Sequence, residues 1–329
     1  MTASARQVFA GKEAESFLTA VEDRLETLLE QRYADADSAF LERAAGHVTF
    51  ADAAKRARPR LVFHFGRAVD ADLESMVNIA AAAELVHTAS LLHDDVVDTA
   101  DERRGRTTVN TEWDNVTAIL SGDLLLCFAL QQLDEVDPRL VPSAVKVVEE
   151  MSRGIMLEVR SRKNLETTPA EWSSIAAGKT AALFGWCGGS PARMMDDDDA
   201  ADRFRRCGRH LGIAFQLADD LRDLLDSESG KDRFADIRNG HPSHLLIWAS
   251  RTDDDVYERL DALWTGRAEL TDEAVEETAE AVLATGAPER TRAALRQQVD
   301  RALEALGGYA DRPGVRKVAG WADQLAREF

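Results

Sequence analysis

Residues 81–110 read AAAELVHTASLLHDDVVDTADERRGRTTVN. Leu85, Val86, Ala89, Leu92 and Val96 recur at spacings of one, three and four, which predicts a helix packed into a core. Asp94, Asp95 and Asp98 stand on its next turn. Positions i and i+4 share a helix face, so Asp94 and Asp98 project side by side with β-carbons on the order of 6 Å apart. They come late in the helix, where the macrodipole disfavours negative charge. Like charges there need a counter-charge. A pair of carboxylates on one face suits Mg2+, which takes one or two carboxylates and completes its shell with water and phosphate oxygens.

The pattern recurs far along the chain. Residues 213–226 read IAFQLADDLRDLLD, and Asp219, Asp220 and Asp223 repeat the D-D-x-x-D spacing after an apolar helical run. Two such helices facing each other would give a cavity an acidic rim, able to hold Mg2+ and, through it, a diphosphate. Arg103-Arg104-Gly105 follows the first motif and Phe215-Gln216 precedes the second. With these residues the chain resembles the trans-polyprenyl diphosphate synthase family, from about Ala53 through the C-terminal helices. It looks most like the octaprenyl and other long-chain members. The resemblance implies an all-α isoprenoid synthase fold, a single-domain helical bundle around a deep central cavity. That domain would span residues 1–329, with residues 1–34 an outer helix and 250–329 the last helices. It also implies condensation of isopentenyl diphosphate with an allylic diphosphate, three Mg2+ ions per active site, and a homodimer. A short-chain (farnesyl or geranylgeranyl) synthase, or one subunit of a heteromeric synthase, is the alternative. A terpene cyclase fits less well, since cyclases usually lack the isopentenyl site.

Composition agrees with an all-helical chain. Among 329 residues, 45% are hydrophobic, while 8 prolines and 20 glycines leave long stretches unbroken. No repeat period is evident. A net charge of -19 excludes nucleic acid as a partner and concentrates cationic function in local clusters. Cys127, Cys187 and Cys207 form no C-x-x-C and read as buried free thiols in a reducing compartment. The first residues lack a signal peptide's apolar core, and no apolar run approaches the ~20 residues of a membrane span. The expectation is a soluble cytoplasmic protein with no transmembrane segment.

The resemblance also assigns roles, residue by residue. Residues 53–60, AAKRARPR, match the family's G-G-K-R-x-R-P with Ala53-Ala54 in place of Gly-Gly. Lys55 and Arg58 there would grip isopentenyl diphosphate, joined by His87, seven residues before Asp94, and by Arg104. Arg103 would face the allylic diphosphate, with Lys179, Thr180, Gln216 and Lys231. Thr180 and Gln216 would also stabilise the developing cation. Asp94, Asp98 and Asp219, with Asp95, Asp220 and Asp223 beside them, would hold metal. The catalytic set is thus Asp94, Asp98, Lys179, Thr180, Gln216 and Asp219. Departures from the family are Thr107 for Pro, Ile155 for the Gln after Gly154, and His241, Ser243 and Leu245 for the Lys, Thr and Pro of a later loop. Gly122-Asp123 keeps the family's G-D. His93 reads as structural, and Arg106 is unassigned. Ala89 and Ser90, five and four residues before Asp94, stand where short-chain members carry a bulky aromatic, so a long tail could pass. Two other acidic runs, Asp196–Asp199 and Asp253–Asp255, precede amphipathic segments and read as helix caps.

Overall fold

A computed structural model describes residues 11–33, 39–50, 56–103, 105–225 and 233–329. The longer helices are α1 (Lys12–Arg32), α2 (Ala39–Thr49), α3 (Ala57–Ala68), α4 (Leu73–Asp98), α5 (Asn115–Val136), α6 (Val141–Ser161), α7 (Pro169–Ala176), α8 (Ala182–Met194), α9 (Asp198–Leu225), α10 (His244–Thr252), α11 (Asp254–Trp264), α12 (Asp272–Ala284), α13 (Ala287–Leu306) and α14 (Pro313–Arg327). Among the described residues the only strands are β1 (Glu102–Arg103) and β2 (Arg106–Thr107), an antiparallel pair with Arg103 opposite Arg106. The fold is all-α, as the sequence predicts. The chain divides into two compact units, one drawn from residues 1–148, 183–208 and 306–321, the other from 149–182, 209–305 and 322–329.

The first unit is organised around α4. Asp72 caps it, its carboxylate accepting the Ser75 N–H at 2.8 Å, and Thr99 ends it in the left-handed region at φ 49°. Between these ends Ala80, Ala81, Ala82, Ala83 and Ala89 are wholly buried, and such small side chains let α5 pack along α4. Gly122 of α5 meets the His93 ring, where a β-carbon would fall 2.3 Å from Nε2. That contact accounts for the glycine, and His93 Nε2 also lies 3.2 Å from the Ile119 carbonyl. Phe65 stacks on Phe204 with ring centroids 4.5 Å apart, and burying each ring stabilises the unit by about 2–3 kcal/mol.

Helices α4 and α5 are long and apolar, but their most apolar stretches are 78% and 50% buried within the structure, as core helices are. One expectation needs correcting here. Cys187 and Cys207 are buried but Cys127 is exposed. Helix α5 is apolar on its outer face as well, so Val116, Ile119 and Leu120 are exposed along with Cys127.

One charge inside this core was not legible. Glu84 lies in the middle of the alanine run and is 3% exposed. It accepts from Arg56 Nη1 at 2.5 Å, and Arg56 Nη2 also donates to the Thr49 carbonyl at 2.9 Å. Part of the basic cluster at residues 55–60 is therefore internal bracing. Glu84→Ala leaves the buried Arg56 guanidinium with the Thr49 carbonyl and the more exposed Glu22, 3.5 Å from Nε, and breaking such a pair costs about 3–5 kcal/mol. Denaturant unfolding should report a loss of that size. A loss below about 1 kcal/mol would show that water replaces the pair.

In the second unit, Thr168 and Glu171 form a reciprocal capping box that starts α7. A π-helical turn, Ala177–Ala181, follows. Gly154 of α6 and Gly178 of that turn touch backbone to backbone. A β-carbon on Gly154 would lie 2.5 Å from the Lys179 nitrogen, and one on Gly178 would lie 2.7 Å from the Glu150 carbonyl oxygen. Only glycine permits this approach, which fixes where Lys179 begins. Leu211, Leu221, Leu246, Leu260, Val275 and Leu295 form the fully buried core.

Candidate active site

Each D-D-x-x-D motif ends a long helix, the first on the 26-residue α4 and the second on the 28-residue α9. Helix C-termini repel anions, so each motif recruits donors. Around the first, Asp94 and Asp95 are buried and Asp98 is half-buried. Arg103, carried back by the two-stranded turn, donates from Nε to Asp95 Oδ1 at 2.5 Å. Thr108 and Asn110 both bond the Ala100 carbonyl, at 2.6 and 3.1 Å, which closes the loop that delivers Arg103. A cavity beside this pair is lined by His47, Leu91, Asp95, Arg103, Arg106 and Thr107. Arg106, unassigned from sequence, donates to the His47 carbonyl at 3.4 Å, and His47 Nε2 donates to the Thr107 carbonyl at 2.7 Å. Within this unit Arg58 is half-buried with its guanidinium 5.2 Å from the Phe184 ring centroid. His87 is half-buried on α4. Lys55, Arg104 and Lys231 lie outside the described residues.

The second unit gathers more of the expected residues around one cavity, lined by Glu158, Trp172, Lys179, Gln216, Asp220 and Asp236 among others. The π-helical turn carries Lys179 and Thr180 towards α9. Such turns are rare and cluster at functional sites. Lys179 Nζ pairs with Glu158 Oε2 at 2.5 Å. The Thr180 hydroxyl donates to Gln216 Oε1 at 3.2 Å, and Gln216 Nε2 donates to Asp220 Oδ1 at 3.2 Å. Asp220 Oδ2 also accepts the Trp172 indole N–H at 3.1 Å and the His244 backbone N–H at 2.8 Å. Asp223 accepts the backbone N–H groups of Ala235 and Asp236, at 2.9 and 3.2 Å, and so tethers the short helix Ala235–Asn239. Asp219 is half-buried and held by Arg222 at 2.5 Å, and Arg222 in turn forks onto Glu328 with two bonds of 3.1 Å. The departures at His241 and Ser243 line the same cavity.

Glu158, Trp172 and Arg222 are the residues that sequence reading missed. Arg222 stood in plain view inside D-D-L-R-D. Glu158, four residues after Gly154, shares its helix face and could have been found by spacing. Trp172 has no local signal, because its partner lies 48 residues away. The control runs behave as caps. Asp253 accepts the N–H groups of Asp255 and Val256 at the start of α11, and Asp197 accepts that of Ala200 at the start of α9.

Among the described residues no three carboxylate, histidine or cysteine groups converge as a ready metal cage. Mg2+ does not need one, since water and substrate oxygens complete its shell. The acidic donors offered, all oxygen, are those a hard cation takes. Burial, ahead of the like charges of Asp219 and Asp223, pushes Asp220 from 3.8 up to about 7, although the His244 N–H and the Gln216 amide pull the other way. Burial and the charges of Asp223 and Asp220 likewise raise Asp236. An acid raised in the folded state keeps a proton that the unfolded chain has lost. Between about pH 4 and about pH 7 the native state therefore binds more protons, and stability falls as pH rises through that window. The melting temperature in chelator should drop from pH 5 to pH 8, and Asp220→Asn should flatten the drop. An unchanged slope in the variant would contradict this.

Comparison with known proteins follows the same lines. The model of the polyprenyl synthetase family matches residues 39–282. The octaprenyl diphosphate synthase of Escherichia coli (strain K12) is 30% identical over 323 residues, covering 91% of this chain and 97% of that protein. The heptaprenyl diphosphate synthase component 2 of Geobacillus stearothermophilus is 31% identical over 297 residues, covering 88% of this chain and 89% of that protein. Among solved structures, the geranylgeranyl pyrophosphate synthetase of Pyrococcus horikoshii superposes with a TM-score of 0.87 at 26% identity, covering 98% of both chains. With two acidic motifs ending long helices, a lysine and threonine on a π-helical turn, and a family match over most of its length, this chain belongs to the polyprenyl synthetase family.

Proposed function

We propose that the protein elongates isoprenoid diphosphates, joining the allylic carbon of one diphosphate to isopentenyl diphosphate. The observation that carries this reading is the cavity in the second unit, where Lys179, Thr180 and Gln216 meet the second acidic motif. Lys179 and Arg103 bind the allylic diphosphate, while Lys55, Arg58, His87 and Arg104 bind isopentenyl diphosphate. To bind, a diphosphate takes the place of Glu158 on Lys179. Asp94 and Asp98 in the first unit, and the Asp219 motif in the second, are the residues that would hold Mg2+, which when bound would supply Lewis-acid charge to stabilise a leaving diphosphate. The Thr180 and Gln216 oxygens would face the carbon where positive charge develops. The isopentenyl double bond then attacks that carbon, and the departing diphosphate takes the proton that restores a double bond.

The named relatives make products of different lengths, so the tail path decides the rest. Along α4 from Asp94 the tail would meet Ala89 and then Ala82, both small side chains. A product of about six to nine isoprene units fits a path walled by small side chains. Leu125 and Phe128 of α5 are buried, and Phe128 stands edge-on to Tyr33 with centroids 5.1 Å apart. The exposed Val116, Ile119 and Leu120 suit burial against a second copy, which makes a homodimer part of this reading. The relative named as a component makes a heteromeric synthase the second reading.

The test is to incubate the purified protein with Mg2+, isopentenyl diphosphate and primers of several lengths, and to size the products by mass spectrometry. Ala89→Phe should shorten them to about three or four units by filling a close-packed path. A parent product already that short, or an unchanged distribution in the variant, would overturn the tunnel.

A further inference from the structure

We infer that Trp172 is a positioning residue for prenyl transfer, its indole N–H acting through Asp220 and Gln216 to set the direction of the Thr180 hydroxyl. The inference rests on the function proposed above and adds to it a residue that contacts neither diphosphate in that scheme. Its basis is the order of donors and acceptors along one chain of bonds. Each hydrogen-bond partner of the Asp220 carboxylate donates: the Trp172 indole and the His244 backbone N–H to Oδ2, and the Gln216 amide to Oδ1. An amide side chain has one donating and one accepting end. With Nε2 turned to the carboxylate, Oε1 faces the other way, and there the Thr180 hydroxyl donates to it. The hydroxyl proton is therefore committed to Gln216, and the Thr180 lone pairs are left for the cavity. An oxygen lone pair stabilises a developing carbocation, whereas an O–H bond pointed at it repels. Setting this dipole in advance is worth more than letting it reorient during the reaction.

Trp172 is built to hold its end of the chain. It is buried in the first turns of α7, directly after the Thr168–Glu171 capping box. Its ring lies edge-on to His244, centroids 5.0 Å apart at 69°. His244 is fixed in turn. Its Nε2 accepts the Trp248 indole N–H at 3.2 Å, so Nδ1 carries the proton donated to Thr291 Oγ1 at 2.7 Å. Without the Trp172 donor, Oδ2 keeps only the His244 N–H, the carboxylate gains freedom to rotate, and the Gln216 amide can flip.

Trp172→Phe keeps the ring and removes the N–H. The experiment is a double-mutant cycle with Thr180→Val, read as kcat and as KM for each diphosphate, with circular dichroism as the check on folding. In the parent background Trp172→Phe should lower kcat about 10-fold and leave both KM values within about twofold. In the Thr180→Val background it should cost less than about twofold, because the hydroxyl it directs is gone. Trp172→Tyr, whose ring fills the same place but whose hydroxyl lies at the far end of the ring, should follow the same pattern and carries the test if Trp172→Phe does not fold. Losses that multiply in both backgrounds, or a change confined to KM, would overturn the inference while leaving prenyl transfer standing. No turnover by the parent with any primer would overturn both.

Discussion

Carboxylates set side by side at the edge of an apolar core lose hydration and repel one another, so each needs a donor or a cation. The arrangement around both acidic motifs follows from that need. Asp95 takes Arg103, Asp219 takes Arg222, Asp223 takes two backbone N–H groups, and Asp220 takes an indole, an amide and a backbone N–H. Each partner has a place in the fold. The two-stranded turn brings back Arg103, the short helix after Phe234 meets Asp223, and α7 delivers the Trp172 indole. Burial and the neighbouring carboxylates still raise Asp220 and Asp236.

The close approach of Gly154 to Gly178 performs a second task of the same kind. It seats the π-helical turn against α6, so Lys179 lies within reach of Glu158 and Thr180 within reach of Gln216. Lys179 is thereby paired with an acid, which a diphosphate would displace in the proposed reaction.

The sequence made the α4 and α9 motifs legible because their chemistry is local. Spacing alone put the acids on shared faces, and the apolar runs before them gave the helices. The caps at Asp197 and Asp253 were legible for the same reason. Family resemblance, and not periodicity, carried Lys179, Thr180 and Gln216, since a K-T dipeptide has no pattern of its own. What escaped was non-local. Glu84 sits in an alanine run that reads as pure core, and its partner Arg56 lies 28 residues away. Trp172 reaches Asp220 across 48 residues, and no spacing rule connects them. The outer face of α5 escaped because its leucines and valines read as core whichever way they point. Burial depends on neighbours that a single helix does not specify.

The central claim is that the carboxylates ending α4 work on a metal-bound diphosphate, whereas the equally acidic run at Asp253 only caps a helix. Steady-state turnover at saturating Mg2+ separates these most directly. Asp94→Ala and Asp98→Ala should each reduce kcat by about 100-fold or more with the fold intact, as loss of charge opposite a transition state does. Asp253→Ala should cost about 1 kcal/mol of stability and leave kcat unchanged. Full turnover in Asp94→Ala, or equal losses in all three variants, would contradict the account.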